Sequence, residues 1–65
     1  MTPLQFRRAI SELGLSQLAA ARMLGYDGRT VRRWIAGEIG VPPAAAKLLR
    51  LAADGKLTVR EIEFA

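Results

Sequence analysis

Residues 15–37 read LSQLAAARMLGYDGRTVRRWIAG and make up over a third of the 65-residue chain. Within this stretch Asp27 is a strong helix N-cap, because its carboxylate accepts from a free backbone N–H of the first turn. Gly37 is a natural stop. Between them, at about 100° per residue, Val31, Trp34 and Ile35 fall on one side of the helix. Arg29, Arg32 and Arg33 fall roughly opposite. One face calls for a hydrophobic core and the other for anions. An arginine fork donates two hydrogen bonds to guanine O6 and N7, or pairs with a phosphate. On an isolated helix such a basic face is usually just solvated. The segment before it shifts the balance towards a binding role.

That segment starts at Ser16, another good N-cap, with Gln17 at the first helical position. Leu18, Ala21 and Leu24 are spaced to face inward, with Ala20 beside them. Gly25 ends the helix, where glycine adopts a left-handed conformation at little cost. Only Tyr26 separates Gly25 from the next cap, Asp27. So short a connection forces a steep crossing of the two helices, as a helix-turn-helix requires. The small Ala20 and Ala21 permit the close approach. Tyr26 is placed to pack over Val31 as a hydrophobic staple, with its hydroxyl within reach of a DNA phosphate.

The ordered set Ser16-Gln17, Ala21, Leu24-Gly25, Val31-Arg32-Arg33-Trp34 and Gly37 resembles the lambda-repressor and Cro family of prokaryotic and phage regulators, the XRE-type helix-turn-helix proteins. The resemblance spans most of the chain. It implies that Gln17 contacts a phosphate and braces the second helix, and that Gly28, Arg29, Arg32 and Arg33 face the bases of the major groove. It also implies that Thr30 touches a phosphate, while Val31 and Trp34 belong to the core. Many relatives carry longer polar side chains where this chain has Gly28, which leaves one base-reading position without a side chain. Ile35 stands where some members are polar, and here it is expected to pack on Ile10. Arg29 and Arg33, one turn apart, are the expected base contacts. Arg32 either joins them or clamps a phosphate. Three arginines favour G-rich half-sites, or equally a grip on the backbone with little discrimination.

The flanking sequence predicts a compact all-α, five-helix domain of this type over residues 1–65, with its helix-turn-helix core at residues 16–37. Thr2-Pro3-Leu4-Gln5 reads as a capping box with proline at the first helical position. Phe6, Ile10 and Leu13 then face inward, and Gly14 ends the first helix. After Gly37 a loop runs to Val41, and Pro42 and Pro43 start a fourth helix with Ala45, Leu48, Leu49 and Ala52 inward, closed by Gly55. Thr58-Val59-Arg60-Glu61 is a second capping box. It opens a very short fifth helix, with Leu57 placed to staple against Ile62. No segment alternates like a strand. At 51% hydrophobic, the composition suits a helical bundle. So small a core is marginal, and good caps, efficient packing and pairing of copies are the means of supporting it.

Net charge is +4, unevenly placed. Residues 1–53 hold eight Lys or Arg against three acids, a net of +5. Residues 54–65 hold two against three, a net of −1. The basic charge thus accompanies the expected DNA-binding part, as an electrostatic footprint should. Arg7 and Arg8 are candidate backbone contacts. Arg22, Lys47 and Arg50 are as readily explained as solvated charges.

With no cysteine and no histidine, the chain lacks a disulfide, a thiolate metal site and the commonest general base. No carboxylate pair neighbours a nucleophile, and Gly25-Tyr26-Asp27-Gly28 is too short for a phosphate loop. No enzyme activity, catalytic residue, metal or cofactor is expected. No apolar run approaches about 18 residues, and Met1 leads into a capped helix rather than a signal peptide. A cytoplasmic location, in a prokaryotic or an infected host cell, is the expectation, with no membrane role.

A single recognition helix reads few base pairs. A two-fold pair would place a second one a DNA turn away, roughly 34 Å. Ile62 and Phe64, more apolar than a short terminal helix needs, are the expected homodimer contacts on a pseudo-palindromic operator. Repression is the expected mode of regulation, because 65 residues leave little room for an effector domain. The alternative from a different class is a small antitoxin or co-regulator that acts mainly by binding a protein partner, with the acidic, apolar C-terminus as its docking segment.

Overall fold

The caps marked in the sequence are the caps of the structure, a computed structural model that describes residues 1–64. Thr2 opens helix α1 (Pro3–Glu12) with a complete capping box: the Gln5 N–H donates to Thr2 Oγ1 at 3.1 Å, and the Thr2 N–H donates to Gln5 Oε1 at 2.8 Å. Ser16 Oγ accepts from the Ala19 N–H at 3.0 Å and opens α2 (Gln17–Leu24). Asp27 Oδ1 accepts from the Arg29 N–H at 2.7 Å and opens α3 (Gly28–Ala36). Pro42 sits at the cap of α4 (Pro43–Ala53), so the helix starts one residue later than the proline pair suggests, with no side-chain cap bond. Thr58 and Glu61 form the second capping box, at 3.0 and 3.2 Å, and start α5 (Val59–Glu63). Among the described residues there are five helices and no strand.

Helix ends α1 to α4 share one device. A glycine with positive φ lets the next N–H reach back to the carbonyl five residues earlier: Leu15 to Ile10, Tyr26 to Ala21, Glu38 to Arg33 and Lys56 to Leu51, at 2.8–3.0 Å. At Gly25 (φ 78) this matters most. The left-handed residue turns the chain at once, and Tyr26 alone bridges to the cap of α3.

Each helix contributes to one core. Phe6 and Ile10 come from α1, Ala20, Ala21 and Met23 from α2, Val31 and Trp34 from α3, Ala45, Leu49 and Ala52 from α4, and Ile62 from α5. Trp34 is at its centre. Phe6 meets the indole edge-on with ring centroids 5.6 Å apart, and Tyr26 does so at 4.8 Å, the geometry that ring quadrupoles favour. Helix α2 packs on α3 and α5, and α1 packs on α3 and α4. The buried faces of α2 and α4 are rich in alanine, which lets backbones approach closely. The radius of gyration is 10.5 Å, against about 11 Å expected for a well-packed chain of this length. No helix among the described residues is long and apolar enough to cross a membrane.

Two expectations need correction. Leu18 is not inward but 55% exposed. The buried face of α2 is centred on Ala20, Ala21 and Met23, with Leu24 half-buried. At 100° per residue Leu18 lies almost opposite that centre. Ile62, expected as a dimer contact, is 8% exposed and belongs to the core. Helix α5 packs on α2, and Ile62 is its buried residue, with Leu57 and Val59 partly buried against the same core. Tyr26, expected over Val31, packs against the core that contains Val31, and its ring meets Trp34, one turn further along α3, edge-on. Leu13 and Leu48, expected inward, are half-buried and pack against the core, and Ala46 is buried in addition.

Candidate nucleic-acid interface

Four of the residues expected to meet DNA, Gln17, Gly28, Arg29 and Arg32, line one open cleft of about 430 Å³. It lies where the first turn of α2 meets the first turn of α3. Gln17 and Leu18 line one side, and Asp27, Gly28, Arg29 and Arg32 line the other. The amphipathic pattern of α3 explains the arrangement. Val31 and Trp34 are fully buried, so the arginines on the opposite side are forced outward, and Arg29, Arg32 and Arg33 are all exposed. The two caps, Ser16 and Asp27, fix where each helix starts along the chain, and the packing of α2 on α3 sets where Gln17 and Gly28 sit relative to each other.

Arg33 is placed differently from its two neighbours. It does not line the cleft, and its Nε donates to Glu38 Oε2 at 3.3 Å. This is the single ion pair among the described residues, and both side chains are more than half exposed. Glu38 stands five residues on, beyond the left-handed Gly37 that folds the chain back over the last turn of α3. Thus the structure brings together Arg29 and Arg32 in the cleft, whereas the one-turn spacing had pointed to Arg29 and Arg33. The guanidinium of Arg33 is held at the far end of the helix by a carboxylate of its own chain.

Thr30 is half-buried on α3. Tyr26 is half-buried too, with its ring committed to Trp34. Arg7 and Arg8 are exposed on α1 and outside the cleft. Phe64 is 79% exposed, whereas Ile62 is in the core. Three participants in this region were missed in the sequence. Leu18 had been assigned to the core. Asp27 was read only as a cap, yet its carboxylate also lines the cleft, where the partial positive charge of the α3 N-terminus offsets it. Glu38 was read as a loop residue. A signal for Glu38 was present in Gly37, since a helix that ends on a left-handed glycine returns the following residue to its last turn.

A second, smaller depression of about 180 Å³ lies between the start of α1 and the loop after α3, lined by Met1, Pro3, Trp34 and residues 37–41. It holds one titratable side chain, Glu38, and no convergent polar cluster. No three His, Cys, Asp or Glu side chains gather anywhere among the described residues in a way that would hold a metal ion. No protein-family model, curated protein or solved structure matches the chain.

Proposed function

We propose that this chain is a helix-turn-helix protein of lambda-repressor-like fold that binds double-stranded DNA sequence-specifically and regulates transcription, most simply as a repressor that occludes a promoter. The observation that carries the reading is the cleft at the junction of α2 and α3. There the exposed Arg29 and Arg32 stand beside Gln17 on a helix whose other face is locked into the core. A rigid helix with a buried apolar face presents its arginines in a fixed register, which reading base edges requires. Helix α3 enters the major groove, Arg29 and Arg32 take base edges or phosphates, and Gln17 and Thr30 position the unit on the backbone. Arg33 joins them once DNA displaces Glu38. Two copies related by a two-fold axis would read a pseudo-palindrome, with Phe64 the apolar group left free to contribute to their contact.

The test is selection from a random duplex library at near-physiological salt, followed by binding of Arg29→Ala and Arg32→Ala to the selected site. Loss of a base contact costs about 1–3 kcal/mol and relaxes the preference at one position. Loss of a phosphate contact weakens all sequences alike and lowers the salt slope by about one. No enriched sequence, or full binding by the double variant, refutes the proposal. The exposed Phe64 favours a second reading, an antitoxin or co-regulator that docks a protein through α5. Biological activity that survives the arginine changes and fails on Phe64→Ser selects that reading instead.

A further inference from the structure

We infer that Leu18 is a specificity-determining residue that reads the 5-methyl group of thymine, in the base step beside the one taken by Arg29 or Arg32. The inference rests on the DNA-binding reading above. Single exposed leucines are ordinary; the surroundings of this one are not. It is 55% exposed and lies in the cleft with Gln17, Arg29 and Arg32, not on a face remote from them. It also borders the start of α3: a Cβ built on Gly28 would lie 3.5 Å from Leu18 Cδ1, at ordinary van der Waals distance. Because Gly28 has no side chain, nothing from α3 covers the leucine from that side.

The occupant of such a cleft must be anionic in bulk, to suit two guanidinium groups, and apolar at one point, to suit the leucine. The major groove of DNA meets both conditions. Its phosphates supply the charge, and its one apolar feature is the thymine methyl. The empty position at Gly28 then acquires a purpose: it leaves room for the pyrimidine edge that Leu18 touches. The recognised sequence class is a half-site in which a thymine adjoins a guanine.

Two changes test this, one on each partner. Each thymine of the selected site is replaced in turn by deoxyuridine, which deletes only the methyl group, and Kd is measured for wild type, Leu18→Ala and Arg32→Ala. One replacement per half-site is expected to weaken wild-type binding about fourfold, as for one methyl taken from water. Leu18→Ala should lose a similar factor on the thymine site and bind the thymine and uracil duplexes equally. Arg32→Ala should bind more weakly yet keep the discrimination. Leu18 is exposed, so the variant should melt with wild type, and the deoxyuridine series reads the contact in the unaltered protein in any case. A selected site without thymine, no penalty for any deoxyuridine, or discrimination that persists in Leu18→Ala overturns the inference. If no site is selected, or binding ignores the arginine changes, the DNA-binding reading itself fails.

Discussion

Replacing Ile62 by alanine distinguishes a core residue from an interface residue, because the two roles respond differently to protein concentration. Ile62 is 8% exposed and docks the five-residue helix α5 on α2. The substitution removes three buried carbons, about 2.4 kcal/mol at roughly 0.8 per carbon. Ile-to-Ala changes in cores span about 2–5 kcal/mol, depending on how far the site collapses. A short terminal helix can settle into the space, so the expected loss is near the lower end, about 2–3 kcal/mol. A chain of this size has a total stability of about 3–10 kcal/mol, so much of the folded-state margin disappears. Tm should fall by about 10–20 °C, at roughly 4–8 °C per kcal/mol for a small domain. The assay is thermal or urea unfolding of both proteins over an about 100-fold range of concentration, since stability that depends on pairing scales with concentration. The core reading predicts the same loss at every concentration. A shift below about 2 °C, or a loss that grows only where the wild type pairs, would return Ile62 to the interface and refute the packing argument.

Glu38→Gln should leave stability within about 0.5 kcal/mol, because an exposed ion pair contributes little. The same variant should tighten DNA binding up to about fivefold at low salt, since Arg33 is released and one repulsive charge is removed. Weaker binding would mean instead that Glu38 orients Arg33 for its contact. Gly25→Ala and Gly28→Ala form a contrasting pair in urea melts. At Gly25 φ is 78 and no atom lies within 4 Å of a built Cβ, so the cost is purely conformational, about 1–2 kcal/mol. At Gly28 the backbone is helical and the new methyl makes ordinary contact with Leu18, so the change should be neutral or stabilising by about 0.4–1 kcal/mol. Equal losses at the two positions would show that the left-handed backbone at Gly25 does not set the penalty.

Sequence alone determined the local structure of this protein. Helix starts follow from Thr2, Ser16, Asp27 and Thr58, whose oxygens satisfy nearby N–H groups without help from the rest of the fold. Helix stops follow from glycines that must turn left-handed, and the arginine face of α3 follows from the 3.6-residue period acting on Val31 and Trp34. All of these are interactions within a few residues, so they are legible in one dimension.

Tertiary structure decided the rest. In α2 every third or fourth residue offers an apolar face in more than one direction, and only packing against α3 and α5 selects Ala20, Ala21 and Met23 over Leu18. The small residues win because they let the backbones approach closely, and the large one is left in the cleft. Ile62 passes from interface to core for a similar reason: α5 is too short to hold itself, and it docks on α2 by burying Ile62, with Val59 partly buried beside the core. Which two arginines share the cleft, and which is held by Glu38, depends on the placement of α2 and of the loop after Gly37 relative to α3. Spacing along one helix carries no information about either, since both are set by where other segments of the chain come to rest in space.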